Sequence, residues 1–214
     1  MRAVLQEAVD KKVLMFCSAP DNGKFTDNDY PSGPWRDRFF RIGAAGADGT
    51  VFNWTPEDGI TCVLPGINVP PESDTAFYGA HSKRAESLET GSSVATALGA
   101  GLAAMIIYCL KATILVMKTE NPGDRPHMGI PPDDAPQTLA RPDEMKLAFA
   151  ALGKPTANNF IPVWEELDKV SEQLEALQDS NLSLEDRLKH VNPFVEFGLK
   201  LWNASKEEAR KMNY

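Results

Sequence analysis

Glu89 to Cys109 reads ETGSSVATALGAGLAAMIIYC. Two serines follow a glycine, and a long run of small and apolar residues follows the serines. The run continues to Met117, and Val94–Met117 is 24 residues with one charge, Lys111. Three readings compete for it. Its length permits a membrane span. Its small residues at 95, 97, 99, 100 and 101 suit a buried helix lying close to neighbouring strands. A helix opening at the serines would also present one of them among unpaired backbone amides. Against a span, Lys111 falls inside the apolar stretch, and no basic cluster on either side sets an orientation.

The surrounding chain favours a domain of mixed α and β structure. Val13–Cys17, VLMFC, is a continuous apolar run of strand length, the pattern of a strand buried on both faces in a parallel sheet. It ends in the turn-forming SAPDNG. Phe39–Ala45 reads as a second strand, Thr50–Trp54 as a third after the Ala47–Gly49 turn, and Ile60–Leu64 as a fourth closed by Pro65 and Gly66. Residues 2–9 have the spacing of a short amphipathic helix. The expected first domain is therefore residues 1–117. Residues 118–142 hold six of the sixteen prolines, and 118–141 reads as an extended linker. Residues 142–214 read as a helical tail. Pro142–Leu152 ends at Gly153, and Trp164, Leu167, Val170, Leu174 and Leu177 line one helix face. Ser183 with Asp186 resembles a capping box, and Phe194, Phe197 and Leu201 continue an apolar face after it.

Composition narrows the function classes. The chain has 214 residues and a formal net charge of −8. That charge argues against nucleic acid as a partner, because phosphate contacts need clustered Lys and Arg. Cys17, Cys62 and Cys109 are odd in number, sit in apolar runs and lack metal-ligand spacing. They read as buried thiols in a reducing, cytoplasmic setting. No acidic loop has calcium-ligand spacing, so no cofactor or metal is expected.

Gly91-Ser92-Ser93-Val94-Ala95 followed by a small-residue helix resembles the nucleophile motif of subtilisin-like serine peptidases, in which Gly-Thr-Ser-Met-Ala opens the long central helix. Three further pieces occur in the family's order. VLMFCSAPDNG resembles the buried strand and turn that carries Ala-Ala-Gly-Asn-x-Gly. RIGAAGADGTVFNW resembles the next strand and its hairpin, and ITCVLPGINV resembles the strand ending in Ala-Pro-Gly. The combination looks most like fungal intracellular members. The resemblance covers residues 1–117. It implies part of a subtilisin-like, mostly parallel sheet with a long central helix, corresponding to the C-terminal half of the catalytic domain. It also implies a peptide or protein substrate, and Ser93 as the position of acyl transfer.

Two departures bear on activity. In the family an Asn side chain donates a hydrogen bond to the oxyanion. Asp21 holds that slot here, and an ionised carboxylate only accepts. A minority of family members carry Asp there, and a protonated Asp21 could donate. The larger departure is that the family's Asp-x-Gly and His-Gly-Thr motifs are absent. His81 is the one histidine before Ser93, and its YGAHSKRAES surroundings match no family motif. Without a base the hydroxyl is a weak nucleophile. The expectation is a peptidase-like site inactive on this chain alone. The competing expectation is a non-catalytic interaction module that contacts a protein partner through the helical tail.

Overall fold

The computed structural model describes residues 2–20, 24, 26, 28–56, 58–70, 88–119, 129–153, 158–175 and 183–206, with the side chains of 184, 185 and 187–190 excepted. Its chain is mixed α/β, a small parallel sheet with a majority of helix. It divides into two compact units. One comprises Met15–Ala100 with Thr156–Phe160, and the other Met1–Leu14, Gly101–Pro155 and Ile161–Tyr214.

The helix α1 covers Arg2–Asp10 and belongs to the second unit. The sheet unit begins at β1, Met15–Ser18, continues through a short 3-10 helix at Gly33–Arg38 into β2, Phe39–Ala45, and then β3, Cys62–Pro65. The order is β1-β2-β3 and both pairings are parallel. Every residue of β2 is buried, as the continuous FFRIGAA run requires of a central parallel strand. Phe40 packs against Phe16 in a tilted arrangement, with ring centroids 4.9 Å apart and ring planes at 38°. At the edge, β1 is only half-buried.

The expected third strand at Thr50–Trp54 does not form. The chain turns back at Gly49 (φ 82°) and makes a single antiparallel bridge between Ala45 and Val51. Asp48 explains the stop. Its carboxylate accepts from the backbone N and the hydroxyl of Thr50, fixing a local turn in place of a ladder. Those two bonds also hold the Asp48 carboxyl below its ordinary range. Thr55 then caps the return, its hydroxyl donating to the Ala44 carbonyl.

The long helix α2 covers Ser92–Thr119, 28 residues. In the helical unit α3 is Ala135–Leu139, α4 Pro142–Ala150, α5 Trp164–Glu175 and α6 Leu184–Ala204. α3 lies in the stretch read as an extended linker. Pro136 sits in its first turn, where a missing N–H costs nothing. Residues 120–128 of that stretch lie outside the described residues. α6 opens at Ser183, whose hydroxyl accepts from the Asp186 amide at 3.1 Å, the backbone half of a capping box. Met117 of α2 packs with Val195 and Leu199 of α6, flanked by Val116 and Val191.

α5 is tied to α6 by Glu166, which accepts from Lys200 Nζ at 2.6 Å and from Lys169 Nζ at 3.0 Å. The Lys200 hydrogen bond, with Lys169 helping, holds the Glu166 carboxyl below its ordinary 4.5. A carboxyl with a depressed folded pKa stabilises above its unfolded value, and that stability is lost as pH falls through the folded value. Lys200→Ala should therefore cost up to about 1 kcal/mol at pH 7, a partly exposed pair being screened. The difference from wild type should close once the pH lies well below 4.5. Urea unfolding of both proteins at the two pH values measures it.

Candidate functional site at the start of the long helix

The start of α2 is built from four backbone segments of the sheet unit. Gly91 precedes the helix with φ 153°, a conformation side-chain-bearing residues rarely adopt. Its carbonyl accepts from the Val94 and Ala95 amides at 3.1 and 3.3 Å, so Gly91 occupies the cap position and the serines lie one and two residues past it. Gly91 N donates to the Gly66 carbonyl at 2.8 Å, and Gly66 N donates to Ala45 O at 2.9 Å. The ends of β2 and β3 are thereby fastened to the first turn of α2. Below Gly91, Asn68 N donates to Thr90 Oγ1, and Val69 and Glu89 exchange a backbone pair.

The two serines do different things. Ser92 is buried, and its hydroxyl donates to the Ala19 carbonyl at 2.7 Å across 73 residues of sequence. Ala19 directly follows β1 and is itself buried, its N donating to Ile42 O. Ser92 is therefore a tether between the end of β1 and the helix, not a cap. Ser93 is exposed in the first turn. It stands where helix amides have no intrahelical partner and where the positive end of the helix dipole lies. Chemically, this is a hydroxyl on the surface beside backbone donors suited to a developing oxyanion.

Asp21 lies outside the described residues, two positions beyond Ala19. His81 and His127 also lie outside them, as does the side chain of His190. The expectations about these groups and Ser93 therefore meet no geometry. The sequence did not single out the Ser92–Ala19 bond or the close approach of Gly66 to α2. The signals for both were present: a small hydroxyl residue at the first helical position, and a Pro65-Gly66 strand end.

The cysteines add no second centre. Burial pushes the Cys62 thiol up to about 12. Burial also raises Cys17, against a Ser32 hydrogen bond and the charge of Arg41, and it raises Cys109. All three are thiols rather than thiolates at neutral pH. Among the described residues no group of three His, Cys, Asp or Glu could hold a metal ion. α2 meets the length and apolarity of a membrane span, with a mean hydropathy of 2.0 and 39% of its most apolar window buried in protein. A core helix of a soluble protein meets the same criterion.

No family model, curated protein or solved structure matches the chain.

Proposed function

We propose that residues 1–117 are a subtilisin-like serine peptidase unit in which Ser93 holds the nucleophile position and lacks a base of its own. The observation that carries this reading is the Ser92 hydroxyl on the Ala19 carbonyl at 2.7 Å. It brings the strand end that leads to Asp21 against the helix turn that exposes Ser93, the two pieces that the sequence resemblance pairs. Parallel β1, β2 and β3, and a 28-residue helix starting at Ser92, support the same reading.

In the proposed chemistry the Ser93 hydroxyl would attack a peptide carbonyl, and first-turn amides of α2 would hold the oxyanion. Ionised, Asp21 would oppose that charge; protonated, it would donate to it. A serine becomes a useful nucleophile at neutral pH only when a positioned base takes its proton. The sequence has no His-Gly-Thr motif to supply one. The chain alone should therefore show no serine-dependent turnover of an unstructured protein substrate and little labelling by a fluorophosphonate. Wild type and Ser93→Ala should be indistinguishable in rate. Cleavage by wild type that Ser93→Ala abolishes would show that a base is present, with His81 the first residue to replace.

A second reading is a non-catalytic interaction module in the cytoplasm, with α2 rather than the expected helical tail as its contact surface; the large apolar side chains that α2 exposes favour it, Tyr108 at 69% and Leu115 at 64%. It predicts the same inert Ser93, together with a protein partner whose capture survives Ser93→Ala.

A further inference from the structure

The C-terminal half of α6 borders an open cleft of about 580 Å³, whose other wall is residues 129–132. Both walls belong to the helical unit. The volume is that of a small-molecule site, roughly 300–1,000 Å³. The second wall is held in place at its end. Lys118 of α2 pairs with Asp133, and the Ala135 amide donates to the Pro132 carbonyl at 2.9 Å as the chain turns into α3.

Along α6 the lining begins with Glu196, passes Leu199 and Trp202, and ends with Asn203 and Lys206. A carboxylate therefore stands at one end of the row, an amide and an ammonium at the other, and apolar side chains lie between. Ile130 and Pro131 add apolar surface from the second wall. Leu199 and Trp202 are 8% and 6% exposed, and Ile130 is 49% exposed. Lys200 also lines the cleft, but its ammonium is already held by Glu166. The remaining polar groups are not engaged in that way. Among the described residues the side chains of Glu196 and Asn203 make no hydrogen bond or ion pair, and the Trp202 indole N–H has no acceptor. Lys206 rests its ammonium over the Trp202 ring, 3.8 Å from the centroid, and has no carboxylate partner among the described residues.

We propose that this cleft binds a short apolar peptide with free ends, about three residues long, with its ammonium on Glu196 and its carboxylate on Asn203 and Lys206. Charge selects the class. A carboxylate on an apolar body would leave Glu196 unmet, and an amine would leave Lys206 unmet; a zwitterion meets both. Spacing selects the length. Glu196 and Asn203 lie two turns apart on α6, about 10.5 Å at about 1.5 Å per residue. An extended peptide of three residues spans about 10–11 Å. In an extended peptide the first and third side chains lie on one side, which places both against Ile130, Leu199 and Trp202 while the second points to solvent. The indole N–H of Trp202 supplies a donor for a peptide carbonyl. A ligand without net charge is also indifferent to the formal −8 of the chain. All lining residues belong to the helical unit and Ser93 to the sheet unit, and the inference does not rest on the peptidase reading.

Titration of the full chain with the tripeptide Leu-Ala-Leu, followed by calorimetry and by the indole N–H resonances, tests it. The expected dissociation constant is on the order of 0.1–1 mM, as suits an open cleft and a flexible ligand. The Trp202 indole signal, identified by its loss in Trp202→Phe, should shift on binding. N-acetylation of the peptide should weaken binding roughly three- to fivefold, the scale of one exposed ion pair. Glu196→Gln should do the same, and in that variant acetylation should have no further effect. Amidation of the C-terminus and Lys206→Gln should form a second such pair. Glu196 is exposed and Lys206 lies past the end of α6, so both variants should keep the wild-type circular dichroism. Ser93→Ala should bind as wild type does. No heat and no indole shift at about 10 mM peptide overturns the proposal. So does a doubly capped peptide that binds as well as the free one, or acetylation that weakens Glu196→Gln as much as wild type. Binding that Ser93→Ala abolishes places the peptide at the start of α2 and also overturns it.

Discussion

Gly198→Ala should lower the stability of the chain by about 1–2 kcal/mol, although alanine is the better helix former. A Cβ at position 198 in α6 would lie 2.0 Å from Thr113 Oγ1 and 2.8 Å from Thr113 Cβ. Thr113 is fully buried in α2, and its hydroxyl has no hydrogen-bond partner among the described residues. Rotating the side chain could move the oxygen but not the Cβ, so the two helices must separate. Overpacking of this kind costs about 1–3 kcal/mol and occasionally more. The intrinsic gain of alanine over glycine, about 1 kcal/mol, offsets part of it. Parting the helices would also loosen Met117 from Val195 and Leu199. The urea midpoint should fall with an unchanged slope. Adding Thr113→Ala should recover part of the loss, because it removes the atom nearest the new methyl. An unchanged midpoint in the single variant would mean that the helices are not in contact here.

Gly66→Ala should cost about 2–3 kcal/mol, through a different mechanism. The added Cβ would lie 2.9 Å from Ala95 Cβ, 2.9 Å from the Gly91 carbonyl oxygen and 3.0 Å from Ala44 Cβ. None of these neighbours is the far end of a flexible side chain. Ala44 and Ala95 are fully buried, and the Gly91 carbonyl is already held by two helix amides. The methyl must therefore push the first turn of α2 off the ends of β2 and β3. That turn carries the Gly91–Gly66 hydrogen bond and the Ser92 tether, so local protection should fall along with global stability. Hydrogen exchange at the Gly91 and Gly66 amides should accelerate beyond what the global loss explains. Exchange that tracks global stability alone would place the strain elsewhere.

The sequence was most legible where burial is uniform. Phe39–Ala45 lies on both sides of hydrophobic neighbours, and its expected and observed limits coincide. The long helix starts at Ser92, within the serine pair at which one of the three competing readings opened a helix. Ser183 and Asp186 announced α6 through chemistry local to four residues.

Misreadings arose where a local hydrogen bond overrode periodicity. Thr50–Trp54 reads as a strand because it follows the Ala47–Gly49 turn with β-branched and aromatic residues, but Asp48 captures Thr50 and leaves a bridge of one pair. In the proline-rich stretch, Pro136 was read as a sign of extension although it fits the first turn of α3. At the candidate site, a glycine before two serines was visible, but the division of labour between them was not. Which hydroxyl is buried depends on Ala19, 73 residues away, and no local pattern encodes that contact.

As proposed, the chain leaving β1 and the first turn of α2 form one acyl-transfer site, with Asp21 in the oxyanion slot and Ser93 as the nucleophile position. The most direct measurement is the separation of those two side chains in a crystal structure in which both are ordered. An oxyanion site needs its donors near 3 Å from one common point, so Asp21 and Ser93 should lie within about 10 Å of each other and face the same space. Side chains farther apart than that, or Asp21 turned away from the helix, would contradict it.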